Sequence, residues 1–90
     1  MKIKPNSSII NYEAGAFLRN IGLFHQAIKY YSKAVELDPF HTRLYDGPAR
    51  CFMETGKFDE ALIYLEKALE LEPNNLSSLE RYTEILVSSQ

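Results

Sequence analysis

Gly56 to Pro73 reads GKFDEALIYLEKALELEP, and the rest of the chain follows from how this stretch is read. Gly56 suits the left-handed residue that closes a preceding helix, and Lys57-Phe58-Asp59 forms the short turn out of it. Apolar residues then fall at Ala61, Leu62, Leu65, Ala68, Leu69 and Leu71, mostly three or four apart, the spacing of a helix with one buried stripe. Pro73 ends it, because proline has no N–H to donate and disfavours helix at the residue before it. The same pattern stands 34 positions earlier, where Gly22 to Pro39 reads GLFHQAIKYYSKAVELDP. Nine of the eighteen aligned residues are identical, among them Gly22/Gly56, Phe24/Phe58, Ala27/Ala61, Ala34/Ala68 and Pro39/Pro73. A period of that length made of two helices defines a repeat whose units must stack to bury their apolar faces.

Composition narrows the classes. Ninety residues make one domain or part of one, with a modest core. A hydrophobic content of 46% and a net charge of −2 describe an ordinary globular chain, neither disordered nor shaped for nucleic acid. No run approaches the roughly 18 apolar residues of a membrane helix. Lys2 and Lys4 lack the apolar segment that a signal peptide would need, since Pro5-Asn6-Ser7-Ser8 interrupts. The single cysteine, Cys51, has no internal disulfide partner, which suits a reducing, cytoplasmic setting. Charge is asymmetric: residues 1–45 carry six basic and three acidic side chains, residues 46–90 four basic and nine acidic. The plain reading is a solvated, Glu-rich helical surface; the sharper one is that a basic head and an acidic tail order neighbouring molecules.

In chain order, the patterning predicts five antiparallel helices at about 8–21, 24–37, 42–54, 58–71 and 75–88, and no strand. Ser7 or Ser8 caps the first, whose expected buried stripe is Ile10, Ala14, Phe17, Leu18 and Ile21, with Gly15 permitting close approach of another helix. Helix three, capped by His41 or Thr42, contains Gly47-Pro48. Either Asp46 starts a new helix with Pro48 in its first turn, or the helix kinks there; the helical stripe Leu44, Tyr45, Ala49, Phe52 favours a kinked, continuous helix. Helix five places Leu76, Leu79, Tyr82, Thr83 and Leu86 on one face, with Ile85 and Val87 flanking it and no helix to cover them. Pro5 lies 34 residues before Pro39, so residues 1–7 read as a leader or as the remnant of a preceding repeat; a chance proline is the competing explanation.

These residues resemble the tetratricopeptide repeat family over essentially the whole chain. Its pattern of small and large residues is matched by Gly15, Leu18, Ala27, Tyr31, Ala34 and Pro39 in a unit at 8–41, and by Tyr45, Ala49, Phe52, Ala61, Ala68 and Pro73 in a unit at 42–75. Residues 76–90 then resemble the first helix of a third repeat, serving as a cap. Asn11, Ala14 and Pro48 depart from the pattern, which bears on local packing rather than fold. The resemblance implies an all-α, right-handed solenoid of five antiparallel helices and a non-catalytic scaffold whose first helices line a concave groove. The groove positions it assigns are Tyr12, Ala16, Arg19 and Asn20; Arg43, Asp46, Arg50, Met53 and Glu54; and Ser77, Glu80 and Glu84. The second helices are half identical, whereas Ser8–Ile21 and Thr42–Thr55 share no aligned residue. That contrast fits first helices that read a ligand, and it also fits drift. A family subclass grips a chaperone's terminal carboxylate with basic residues and asparagine; here those positions read Tyr12, Ala16, Arg50, Glu80 and Glu84, two of them with the wrong charge. A protein or peptide segment of basic or mixed charge is the implied partner.

No other chemistry is expected. His25 and His41 sit at helix starts, and with one cysteine no metal-ligand spacing arises, so neither metal nor cofactor is implied. Glu80 and Glu84 could form an acid/base pair, but like charges four apart are commonly plain helix surface. Cys51 reads as a small core residue. Six tyrosines without a basic groove read as packing aromatics, not base-stacking platforms, so neither nucleic acid nor membrane is an expected partner. Two functional readings remain: an adaptor that binds a peptide or helix in its groove, and a structural module that self-associates weakly into a homo-oligomer through its helical ends.

Overall fold

The computed structural model describes residues 7–88, and the Pro5 reading lies outside them. Five α-helices follow one another among the described residues: α1 (Ser8–Asn20), α2 (Phe24–Leu37), α3 (Asp46–Glu54), α4 (Phe58–Leu71) and α5 (Leu76–Ser88). No strand occurs among them, and the all-α solenoid expected from the sequence is what the chain forms. It is elongated, measuring 45 × 27 × 16 Å.

The glycines act as anticipated. Gly22 and Gly56 take φ of +86° and +78°, the left-handed region where a side chain would strain the backbone. Each closes a helix with the same pair of bonds. Leu23 N donates to Leu18 O at 2.9 Å and Gly22 N to Arg19 O at 3.0 Å, while Lys57 N donates to Phe52 O at 2.8 Å and Gly56 N to Met53 O at 3.2 Å. These satisfy carbonyls the helix end would leave open. Ser7 Oγ accepts from Ile10 N at 3.2 Å, and Asn75 Oδ1 accepts from Ser78 N at 3.0 Å, so α1 and α5 both have side-chain caps.

Tyr31 of α2 organises the first half of the core. Its ring is fully buried between α1 and α3, and both helices present glycine to it. A Cβ on Gly15 would stand 2.8 Å from the ring, and one on Gly47 only 2.3 Å. Ala27, Tyr31 and Cys51 form one buried cluster; Ala49, Ala61, Leu65 and Ile85 form the second. Cys51 and Ile85 are 34 positions apart, and each seats a first helix against the second helix of the preceding unit.

Three expectations need correction. The third helix is not one kinked helix over 42–54. Thr42–Tyr45 is wound as a 3-10 turn that runs directly into the α-helix beginning at Asp46. Pro48 therefore falls in the first α-helical turn, where the N–H groups have no partner within the helix, so the missing donor costs nothing there. Nor does His41 cap this turn with its side chain. Pro48 is itself fully buried. Pro48→Leu is accordingly expected to lower the melting temperature, by overpacking worth about 1–3 kcal/mol; a higher melting temperature in a thermal scan would return the proline to the status of a defect.

The second and third corrections concern faces. In α1 the buried residues are Asn11 and Gly15, whereas Ile10, Phe17 and Ile21 of the expected stripe are exposed. In α5 they are Ser78 and Ile85, whereas Leu76, Leu79, Thr83 and Leu86 face outward. Ile85, expected to lie uncovered, is in the core. An apolar stripe marks a surface that can be covered; where the neighbouring helix lies determines which face is covered. Helix ends differ by one residue, with α1 stopping at Asn20 and α5 starting at Leu76.

Candidate functional site

The first helices of the successive units, α1, the 3-10 turn with α3, and α5, come together along one side of the molecule. Between them lies a polar cleft of about 250 Å³ lined by Tyr12, Thr42, Arg43, Asp46, Asn75, Ser77 and Ser78. A smaller recess of about 130 Å³ adjoins it, sharing Tyr12 and Arg43 and adding Ile9, Glu13, His41 and Leu44. The cleft thus unites four of the twelve expected groove residues: Tyr12, Arg43, Asp46 and Ser77.

The others are distributed by packing and pairing. Ala16 packs on the Tyr31 cluster, and Met53 packs on the Leu65 cluster, so both serve the core. Arg19 donates through Nε to the Tyr31 hydroxyl at 3.3 Å and through Nη1 to Glu54 Oε1 at 3.0 Å. Burial opposes its charge, yet those two partners hold its pKa above the ordinary value. Asn20 is exposed at the end of α1. Arg50 is half-buried, close enough to Tyr12, Tyr31 and Cys51 to pull against ionisation shifts at all three. Glu80 and Glu84 lie outside the cleft, on a shallow surface shared with Leu76, Leu79 and Thr83.

Sequence reasoning missed Arg81, whose guanidinium is hydrogen-bonded to the Asp46 carboxylate in the cleft wall. A signal was present. The Arg19–Glu54 and Asp46–Arg81 pairs each span 35 positions, one repeat plus one residue. Thr42, Asn75 and Ser78 were also missed as cleft residues. Tyr12, whose ring meets that of Tyr31 at a tilt of 58° with centroids 5.0 Å apart, has its hydroxyl pushed up to about 12 by burial and then by the Asp46 carboxylate. It is a neutral hydrogen-bonding group at the cleft edge, not an acid or base.

Among the described residues no group of three His, Cys, Asp or Glu is arranged to hold a metal ion, and no helix is long and apolar enough to cross a membrane. The only cysteine is buried, and burial pushes its thiol up to about 11.

Models of the tetratricopeptide repeat match residues 9–41 and 49–75, and the chain belongs to that family. Solved structures agree in fold. One of MamA superposes with a TM-score of 0.91 at 17% identity, covering 96% of this chain and 50% of that one. YrrB, described as a TPR protein with an unusual peptide-binding site, superposes at 0.81 with 22% identity, covering 86% and 40%. A further MamA structure, from AMB-1, gives 0.72 at 29% identity, covering 77% and 41%. The chain thus spans half or less of the length of these structures. No curated protein sequence matches it. Repeats of this family generally mediate protein–protein interaction.

Proposed function

We propose that this chain is a non-catalytic scaffold that holds a protein or peptide segment of mixed charge along the side formed by α1, α3 and α5. The observation that carries this reading is the polar cleft assembled from α1, the 3-10 turn with α3, and α5. One of its charges, Asp46, is already neutralised within the protein by Arg81, and outside the cleft Arg19 is paired with Glu54. Arg43, Arg50, Glu80 and Glu84 have no ion-pair partner among the described residues, and they set the chemistry a partner would meet. Positive charge sits at the α3 end and negative charge on α5, so a segment presenting an acidic and then a basic residue is complementary. A cytoplasmic setting fits the single buried cysteine.

Titration of short peptides of acidic, basic and alternating charge, followed by fluorescence anisotropy, tests this. The mixed peptide should bind best, with affinity falling as salt rises, because exposed charges are screened beyond a Debye length of about 8 Å. Arg43→Glu, or Glu80→Lys with Glu84→Lys, should abolish that binding while shifting stability by only about 0.5 kcal/mol, because these side chains are exposed. Glu66→Lys and Glu70→Lys on α4 are the controls. Loss of binding in the controls but not in the groove variants would move the site to the opposite face.

A further inference from the structure

The polar cleft is lined with hydrogen-bond donors that the fold does not use. Thr42 and Ser78 are only 5% and 4% exposed, yet neither side-chain hydroxyl has a hydrogen-bond partner among the described residues. No side-chain polar atom sealed from solvent lacks a partner among those residues, so both hydroxyls open outward, and the cleft is the cavity that both residues line. Hydroxyls of buried residues are ordinarily satisfied within the protein. Two of them, from separate elements and facing one cleft, point to a polar guest.

The other lining groups are of the same kind. Asn75 accepts from Ser78 N through Oδ1 at 3.0 Å, which fixes its amide and leaves the NH2 free to donate. Arg43 is exposed and has no ion-pair partner among the described residues. Asp46 is the one acidic residue in the lining, and Arg81 bonds its carboxylate, so the Arg43 guanidinium is left as the net charge of the cleft. Around the Tyr12 hydroxyl at the cleft edge, Asp46 opposes an anion while Arg19 and Arg50 favour one. Glu13 and His41 belong to the adjoining recess, where His41 faces Asp38 at 3.4 Å and Glu13 makes no ion pair, so an anion is better placed in the cleft. Glu80 and Glu84 border a different surface.

We infer that the cleft is the subsite for a side-chain carboxylate of the bound segment, an aspartate or glutamate held by Arg43 and by the Thr42 and Ser78 hydroxyls. This rests on the peptide-binding reading above and names what the acidic residue of that peptide meets. A carboxylate accepts several hydrogen bonds at once and brings the single negative charge that Arg43 calls for. A phosphate would bring nearly two charges close to Asp46 and Glu13, and is the poorer match.

Amide NMR of the 15N-labelled protein, titrated with acetate at constant ionic strength, tests the subsite without any peptide. Acetate should shift the signals of Thr42, Arg43, Asn75, Ser77 and Ser78 saturably, acetamide should not, and Arg43→Gln should abolish the response. No localised response to acetate overturns the subsite. Thr42→Val and Ser78→Ala leave the net charge unchanged, so a response lost in the double variant reports the hydroxyls rather than long-range attraction. Its melting temperature should not fall, because these hydroxyls have no partner in the fold; a marked fall assigns them to the structure and overturns the proposal. For the mixed-charge peptide, exchanging glutamate for glutamine should weaken binding at least about tenfold in the wild type and far less in the double variant. Equal binding of the two peptides refutes the subsite and leaves the groove reading intact. A localised acetate response with no peptide bound does the reverse. Tighter binding of a phosphoserine copy than of the glutamate peptide overturns the carboxylate assignment in favour of a dianion.

Discussion

Tyr31→Ala is expected to leave the chain largely unfolded under conditions where the wild type is folded. Removing a large buried aromatic costs about 3–5 kcal/mol, the lost transfer energy plus the cavity left behind. Small domains have little to spare within the roughly 5–15 kcal/mol typical of folded proteins. The loss is felt in three helices at once, since the ring fills the space that Gly15 of α1 and Gly47 of α3 leave open and packs at a tilt against Tyr12. Its hydroxyl also accepts from Arg19, which in turn holds Glu54. Tyr31→Phe keeps the ring and should cost only about 1 kcal/mol for the single hydrogen bond. Urea titrations followed by circular dichroism would order the variants. A coupling test sharpens this: Gly47→Ala should destabilise the wild type, because its Cβ would meet the ring at 2.3 Å. In a Tyr31→Leu background the same methyl should cost much less, giving a strongly non-additive cycle. Additive costs would show that Tyr31 and Gly47 are not packed as described.

Alkaline unfolding is the second large effect expected. Burial raises the pKa of Cys51 from 9.0 to about 11 and that of Tyr12 from 10.0 to about 12, and it raises Tyr31 and Tyr45 as well. For each group the neutral, protonated form is the one the fold favours. Below the unfolded values both states keep their protons, and the contribution is fully present. As pH rises past those values the unfolded chain sheds protons first, so it binds fewer than the folded chain and stability falls with pH. The loss runs from about pH 9, through the region where the tyrosines of an unfolded chain ionise, towards the raised folded values. Melting temperature should be flat near neutrality and then drop steeply. Cys51→Ala should remove the earliest part of that drop. A melting temperature unchanged up to about pH 11 would mean that these groups ionise equally well in both states.

Much of this protein was legible in the sequence because the deciding interactions are local or repeat at fixed distance. Gly22 and Gly56 announce left-handed caps, Pro39 and Pro73 announce stops, and the alanines of α2 and α4 mark where helices must sit close. These features fix five helices, their order and their stacking with no partner known. The buried faces of α1 and α5 were a different matter. Helical spacing identifies an apolar stripe, but burial depends on which neighbour exists, and in α1 and α5 apolar residues at stripe positions face solvent while Asn11 and Ser78 are inside. The start of the third helix was decided by tertiary contact too: Tyr45 reaches back to the Pro39 carbonyl at 2.7 Å, and the chain enters through a 3-10 turn before Pro48 is met. The cleft was fixed only by the fold. Asp46 and Arg81 look like separate surface charges in the sequence, and stacking the units brings them together, because neighbouring first helices align residues about one repeat apart.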